Sequence, residues 1–354
     1  MAKHFITQCS SFFLLTKKTT INQKFNVLFT FFLLINVTTI NAHEVVIYTS
    51  LDQVFSEPIL LEYEKITGVK VRPVYDVEAT KTTGMVNRLI AEKSRPKCDV
   101  FWNSEIGKTI ILKRKGVLES YVSPSAKNIP QLFKDKDAYW TGFAARARVL
   151  IYNTKLLSAS HLPNSIFDLI KPEWKEKIGL AYPLFGTTAT HIAALYDCIG
   201  KEKTETFLKK LKANGVKIVD GNSVVRDIVV YGQIPIGFTD TDDAYVAVQA
   251  GKEVDIHYID QKGIGTLLIP NTIALIKNSP NPEQGKKLID YLLSSTTESK
   301  LSYSKSAQIP LRDNVKKPNT IPNYSSIKWM KVDYEKIAEY MEESARFCQR
   351  LFVR

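Results

Sequence analysis

From residue 44 onward, short apolar runs alternate with longer amphipathic ones. Glu44-Val45-Val46-Ile47-Tyr48-Thr49-Ser50 is a β-branched apolar run ending in small hydroxyl residues, the pattern of a strand buried on both faces. Residues 55–67 carry apolar positions at helical spacing and stop at Gly68, a helix-terminating residue. The pattern then predicts a strand over 69–74, a helix over 80–93, a strand over 99–102 and a helix over 106–115 that stops at Gly116. Strands alternating with helices of this length predict parallel βαβ units in a doubly wound α/β sheet. Ligands of such sheets bind beyond the strand C-termini. Those ends carry Thr49, Ser50 and Asp52, and then Asn103, Ser104 and Glu105.

The second half continues in kind. After an expected loop over 134–142, strand patterns recur at 147–152, 178–183, 216–219 and 234–238, with helices over 189–199, 223–231 and 244–250. Residues 267–276 form an unusually long extended run interrupted by Pro270, and residues 333–352 read as an amphipathic packing helix. There is no internal repeat and no low-complexity linker.

Composition narrows the class. The chain has 354 residues, 44% hydrophobic and 24% charged, which suits two globular domains and excludes a wholly disordered or polytopic membrane chain. Four cysteines exclude a disulfide scaffold. The formal charge of +12 includes Lys3, Lys17, Lys18 and Lys24, which lie in a stretch, residues 1–42, with no acidic residue. Basic residues, an apolar run over 25–37 and the small polar stretch Thr38-Thr39-Ile40-Asn41-Ala42 read as a secretory signal cleaved after Ala42. The run falls short of the ~20 residues that a spanning helix needs, and a retained anchor is the alternative. No Cys follows it to carry a lipid. The remainder holds 44 basic and 36 acidic residues, a net +8, with lysines spread along the chain. That is mild for nucleic-acid binding, and no recognition motif accompanies it. Cys9 belongs to the signal; Cys98, Cys198 and Cys348 lack metal-ligand spacing and are expected buried or free.

Catalytic motifs are missing. Gly107-Lys108-Thr109 matches the end of a phosphate-binding P-loop, but Trp102 stands where that loop needs its first Gly. There is no G-x-S-x-G elbow, H-E-x-x-H or paired C-x-x-C, and His161, His191 and His257 lie far apart. Three segments do carry chemistry. Phe185-Gly186-Thr187-Thr188-Ala189-Thr190-His191 opens a helix after a strand, so its free N–H groups form an anion site or its threonines simply cap. Thr239-Asp240-Thr241-Asp242-Asp243-Ala244-Tyr245 places three carboxylates at a strand end, where they repel unless a cation, donors or a helix start offsets them. It is not an EF-hand, because Tyr245 stands where that loop needs Gly. Asp220-Gly221-Asn222-Ser223 precedes a helix carrying Arg226 and reads as a cap or as a ligand donor.

Taken in order, several segments resemble a known family. They are Val46-Ile47-Tyr48-Thr49-Ser50, the F-x5-L-x-Y-E-K-x-T-G pattern over 55–68, Cys98-Asp99-Val100-Phe101-Trp102 and Arg146-Ala147-Arg148-Val149-Leu150-Ile151-Tyr152-Asn153. Pro172-Glu173-Trp174-Lys175-Glu176-Lys177-Ile178-Gly179, Asn222-Ser223-Val224-Val225 and Ala307-Gln308-Ile309-Pro310-Leu311-Arg312 complete the set. Together they resemble the periplasmic ferric-iron-binding proteins of ABC importers, within the type II solute-binding proteins. The resemblance implies two doubly wound lobes joined by two β crossovers, around residues 146–151 and 267–276. One lobe would comprise 43–145 plus 272–320, the other 146–271, with 321–354 packing on them. It implies a periplasmic monomer that is not an enzyme, needs no cofactor and delivers solute to permease subunits in the inner membrane.

The ligand transfers less directly. Iron-binding relatives hold Fe(III) with a tandem tyrosine pair, a His after the first strand and a Glu after the D-V-F strand, completed by a synergistic anion. Here all 16 tyrosines are isolated. The pair falls on Asp242 and Asp243, the His on Asp52, and the Glu on Ser104 or Glu105; Gly186, Thr187 and Thr188, with Asn222 and Arg146, match the anion contacts. Two ligand readings follow. Asp52, Glu105, Asp242 and Asp243 would form an all-oxygen site for ferric iron or another hard metal. Alternatively they would hold an ammonium group while the helix start at Gly186 takes a phosphonate, phosphate or carboxylate, as in an aminoalkylphosphonate. Ser50, Asp52, Trp102, Asn103, Ser104, Arg146, Gly186, Thr187, Thr188, Asn222, Asp240 and Tyr245 are the expected ligand contacts. A metal-dependent enzyme on the same fold is a third reading, for which no nucleophile–base pair is evident.

Overall fold

In the computed structural model, residues 44–77 and 82–352 are described; the secretory reading of residues 1–42 lies outside them, as do positions 80 and 81 of the second expected helix. The first half runs β1 (Glu44–Thr49), α1 (Gln53–Thr67), β2 (Lys70–Tyr75), α2 (Thr83–Ala91), β3 (Val100–Asn103), α3 (Ile106–Arg114) and β4 (Leu118–Glu119). Then come β5 (Thr141–Asn153), β6 (Ile178–Ala181), α4 (Gly186–Ile199), α5 (Lys201–Ala213), β7 (Lys217–Val219), α6 (Asn222–Val230), β8 (Ile236–Asp240), α7 (Thr241–Gln249) and β9 (Val254–His257). The chain closes with β10 (Leu268–Ile276), α8 (Pro282–Leu292), α9 (Ser295–Tyr303) and α10 (Tyr334–Phe352).

Local chemistry sets these boundaries. Gly68, at φ 71°, ends α1 in the left-handed conformation and gives its N–H to Glu64. The wholly buried β1 core, Val45, Ile47 and Tyr48, pairs in parallel with β2 and β3. The order is β2-β1-β3-β10-β5-β8-β6-β7, with β4 on β10 and β9 on β5. β6 pairs in parallel with β7 and β8, so each end of the order is a parallel unit. β5 joins the two. Residues 141–147 pair antiparallel with β10, and residues 148–153 with β8 and β9. β10 returns to the first half and pairs with β3. This is the expected α/β architecture of two doubly wound lobes connected by two β crossovers.

Pro270 does not break β10. The register shifts between Pro270 and Asn271, leaving Ala144 as the extra residue of a bulge at φ 38°. Asn271 Nδ2 donates to the Phe143 and Ala144 carbonyls and to Gln308 Oε1, while Glu298 accepts the Ala144 N–H at 2.9 Å. β5 also begins earlier than expected, inside the presumed loop. Every one of its residues is buried, so polar Thr141 and Gly142 hid a core strand.

Three helices and two strands, α5, α8, α9, β4 and β9, lie outside the elements that the pattern predicts. α5 is lysine-rich, and only Thr204, Phe207, Leu208 and Leu211 turn inward. α10 lies against α3, α4 and α5. It fits because Gly107 has no side chain; a Cβ there would strike Met341 Sδ. Ion pairs tie it to both halves, through Arg114 with Glu335 on one side and Lys201 with Glu343 on the other. Cys98 and Cys348 are buried and free, and Cys198 is half-buried and free.

Candidate functional site

The ends of β1 and β3 supply a neutral network. Ser50 Oγ donates to Asn103 Oδ1 at 2.7 Å and accepts the Ser104 N–H at 2.8 Å. Asn103 Nδ2 donates to Thr109 Oγ1 at 2.9 Å, which in turn meets Thr272 Oγ1 at 2.7 Å. Glu105 caps α3 by accepting the Lys108 N–H at 2.8 Å. It is fully buried, and its other oxygen accepts Thr190 Oγ1 of α4 at 2.9 Å, a bond from one half to the other. Burial raises the Glu105 carboxyl above its ordinary range, partly countered by the Lys108 charge and the N–H bonds.

The opposing side is highly charged. Arg146 and Arg148 stand two residues apart on β5 and so share a face. Register places Arg148 opposite Asp240 at the end of β8. Arg148 Nη1 donates to Asp240 Oδ1 at 2.7 Å and to Asn222 Oδ1 at 3.1 Å, and Nη2 reaches Thr188 Oγ1 at 3.3 Å. Its guanidinium lies 4.6 Å from the Phe238 ring centroid. The second Asp240 oxygen accepts Thr187 Oγ1 at 2.6 Å and Asn222 Nδ2 at 3.0 Å. Burial opposes ionisation of Asp240, but the Arg148 and Arg146 charges and these donors hold its carboxyl below the usual range.

These contacts overturn the capping readings. The N-caps of α4 and α6 are Phe185 and Gly221, neither with a side-chain cap bond, while Thr187 and Asn222 serve Asp240. Asp240 precedes α7 without capping it.

Arg146 faces the cleft. Its Nη1 donates to Asp242 Oδ2 at 3.1 Å and lies 3.7 Å from Asp240, and its Nη2 donates to the Ser104 carbonyl across the cleft. Its Nε is buried without a partner. Asp242 and Asp243 occupy the first turn of α7, with Arg226 Nη1 3.7 Å from Asp243. Oxygens of Asp240, Asp242 and Asp243 lie within 4.8 Å of one another. Asp52, just before α1, acts electrostatically on both Arg146 and Arg226. Of the expected metal set, Asp242 and Asp243 thus join Asp240; Asp52 and Glu105 are not in that carboxylate group, and Glu105 is engaged with α3 and Thr190.

A cavity of about 20 Å³ remains among Ser104, Arg146, Tyr182, Gly186, Asn222 and Asp240. That is room for about one water. The N-termini of α4 and α6 both open on it, and Gly186 sits at φ 53° with nothing near its absent Cβ. Ser50, Asp52, Trp102, Asn103, Asp242, Asp243 and Tyr245 do not line it. Trp102 is a core residue, fully buried with its ring 5.6 Å from Phe143. Tyr245 donates its hydroxyl to the Thr320 carbonyl at 2.7 Å. A larger cavity of about 820 Å³, between Lys113, Trp140 and Tyr334, contains none of the candidate residues. Tyr182, Phe185 and Arg148 escaped the sequence reading. For Arg148 the signal was present, because a second arginine at i+2 in a buried strand must share the face of the first.

Strand ends of two lobes meeting over a small polar cavity define a solute-binding protein of the type II fold. Residues 106–336 match the bacterial extracellular solute-binding protein family, and the chain belongs to it. It is 25% identical over 281 residues to the major ferric iron-binding protein of Neisseria meningitidis, covering 77% of this chain and 82% of that one. It is 27% identical over 257 residues to a putative 2-aminoethylphosphonate-binding periplasmic protein of Salmonella typhi, covering 72% and 73%. Iron-bound HitA from Pseudomonas aeruginosa superposes with a TM-score of 0.79 at 21% identity, covering 88% of this chain and 99% of that one. The chain is therefore a ferric-binding-like periplasmic-type solute-binding protein and not an enzyme. Among the described residues no helix is long and apolar enough to cross a membrane.

Proposed function

We propose that the chain is the exported, periplasmic component of an ABC importer and binds a small solute carrying an oxyanion head and an ammonium group. The observation that carries this reading is the convergence of two helix N-termini and the buried Arg146 on one cavity. Each helix start presents unpaired N–H groups and a positive dipole end. The cavity holds about one water as it stands, so the phosphonate, phosphate or carboxylate head enters as the cleft opens and sits against these groups, with the ammonium group toward Asp242, Asp243 and Asp52. An aminoalkylphosphonate has this shape, in keeping with the putative 2-aminoethylphosphonate-binding relative.

Ferric iron is the second reading, supported by the Asp240, Asp242 and Asp243 cluster and by the ferric relatives. Arg146, between Asp240 and Asp242, weighs against it. At an effective dielectric near 20, two unit charges about 5 Å apart repel by about 3 kcal/mol, and a trivalent ion multiplies this. Solute capture closes residues 43–145 plus 272–320 onto 146–271 about the two crossovers, and permease subunits receive the closed form.

Calorimetric titration separates the readings. Purified protein is titrated with 2-aminoethylphosphonate, inorganic phosphate and ferric citrate. The zwitterion should bind most tightly and lose affinity in Arg146→Met. Tight ferric binding abolished by joint Asp242→Asn and Asp243→Asn substitution, with no response to the zwitterion, would replace this reading with the metal one.

A further inference from the structure

We infer that Asp240 is an internal counter-anion that sets the charge of the solute the cleft accepts; this rests on reading the cavity as an oxyanion site. Four side chains converge on its carboxylate. Arg148 approaches one oxygen at 2.7 Å; Thr187 at 2.6 Å and Asn222 at 3.0 Å approach the other, with Arg146 at 3.7 Å. The carboxylate is 1% exposed and the Arg148 side chain is fully buried. Thr187 lies in the first turn of α4 and Asn222 in the first turn of α6, the two helix starts that open on the cavity. Their side-chain donors are therefore already spent on a carboxylate of the chain itself. Backbone N–H groups, Arg146 and the neutral hydroxyls of Ser104 and Tyr182 remain for a solute, so Arg146 is the one cation among the cavity-lining residues.

The consequence is charge selection. Asp240 cancels Arg148, and Arg146 is shared with Asp242. The pocket thus offers less than one net positive charge to a head group. It accepts a head whose charge is balanced within the same solute and rejects a free dianion. Without the Asp240 carboxylate, Arg148, Thr187 and Asn222 would form a vacant anion site walled by Phe238, and a dianion would enter it. All these groups belong to β5, β8, α4 and α6, so the effect does not depend on closure of the cleft.

The test uses sulfate, an inert dianion, with the whole exported protein. Melting curves and calorimetric titrations of wild type, Asp240→Ala and Asp240→Asn are compared in sulfate and in chloride at matched ionic strength. Wild type should show only the general stabilisation that sulfate gives any folded protein, with no saturable sulfate binding by calorimetry, and the variants are read against that baseline. Asp240→Ala should melt lower in chloride, recover in sulfate and bind sulfate at least about tenfold more tightly than wild type. Asp240→Asn, nearly isosteric, should gain sulfate binding in the same direction and covers the case in which the Ala variant does not fold. A folded variant that binds sulfate no better than wild type overturns the inference, as does wild type that binds sulfate as tightly as the variants. Gain of sulfate binding in a protein that ignores 2-aminoethylphosphonate would uphold Asp240 and refute the solute reading. Binding of the zwitterion without that gain would do the reverse.

Discussion

Two arginines on the same face of β5 mark two different regions of the site. Arg148 lies on the interior side, fully buried, with Asp240, Asn222, Thr187 and Thr188 as partners and Phe238 beneath it. Arg146, two residues earlier, lies on the cleft side, lines the cavity and crosses to the Ser104 carbonyl. The interior arginine holds β5, β8, α4 and α6 together as a preformed wall. The cleft arginine is the one that the proposed function assigns to the solute. The facing wall carries a neutral network, Ser50, Asn103 and Ser104, and touches the charged side through Arg146 and the Glu105–Thr190 bond. Under the proposed reading, the oxyanion head is met mainly by one wall, and the other completes the enclosure and adds Asp52.

The largest effect should come from the interior arginine. Arg148→Met leaves Asp240 buried without its main partner and should cost about 3–5 kcal/mol of stability, read by urea denaturation. A cost under about 1 kcal/mol would erase the difference between the two arginines. His191 sharpens the same region. Its ring lies 5.0 Å from that of Phe238, tilted by 38°, and its Nε2 is buried without a partner. Burial, then the Arg148 charge, push its pKa down to about 3 from the ordinary 6.5. The folded state therefore refuses a proton that the unfolded chain accepts below 6.5. Its stabilising contribution is complete above pH 6.5 and is lost as pH falls toward 3. Between pH 6.5 and 4 this amounts to about 3 kcal/mol. Wild type should lose stability relative to His191→Leu as pH falls across this window; parallel curves would contradict the assignment.

On the cleft side, Arg146→Met should weaken 2-aminoethylphosphonate binding by about 1.5–3 kcal/mol, the scale of hydrogen bonds to charged groups. Calorimetry reads this directly, and unchanged affinity would remove Arg146 from the reading role. The smallest effect belongs to the contact between walls. Thr190→Val deletes the hydroxyl that reaches Glu105 and should cost about 1 kcal/mol. Small-angle scattering of the solute-free variant should show a larger radius of gyration than wild type. An unchanged profile would mean that this bond does not hold the cleft shut.

The elements that shape the site were legible because their patterns are strong. β1, β3 and β8 are apolar strands ending in Thr49, Asn103 and Asp240, β6 leads into the Gly186 segment, and parallel strands gather such ends at one edge. That logic brought Ser104, Gly186, Asn222 and Asp240 to one place. It did not assign partners. Asp240, Thr187 and Asn222 each read locally as helix caps, and only the pairing of β5 with β8 reveals that they meet Arg148 instead. Trp102, expected among the ligand contacts, lies in a strand buried on both faces and turns inward to Phe143. α5 was hidden by its exposed lysines, and the start of β5 by small polar residues whose burial comes from β10.

The central claim is that the cavity takes an oxyanion head on Arg146 and the starts of α4 and α6. Native mass spectrometry of wild type and Arg146→Met purified from the periplasm of the producing cell, with metal analysis of the same samples, tests it most directly. The account predicts a retained organic mass bearing a phosphonate, phosphate or carboxylate group, present in wild type, lost from the variant and unaccompanied by stoichiometric metal. Wild type carrying one ferric ion and no organic mass, with Arg146→Met retaining it, would contradict it.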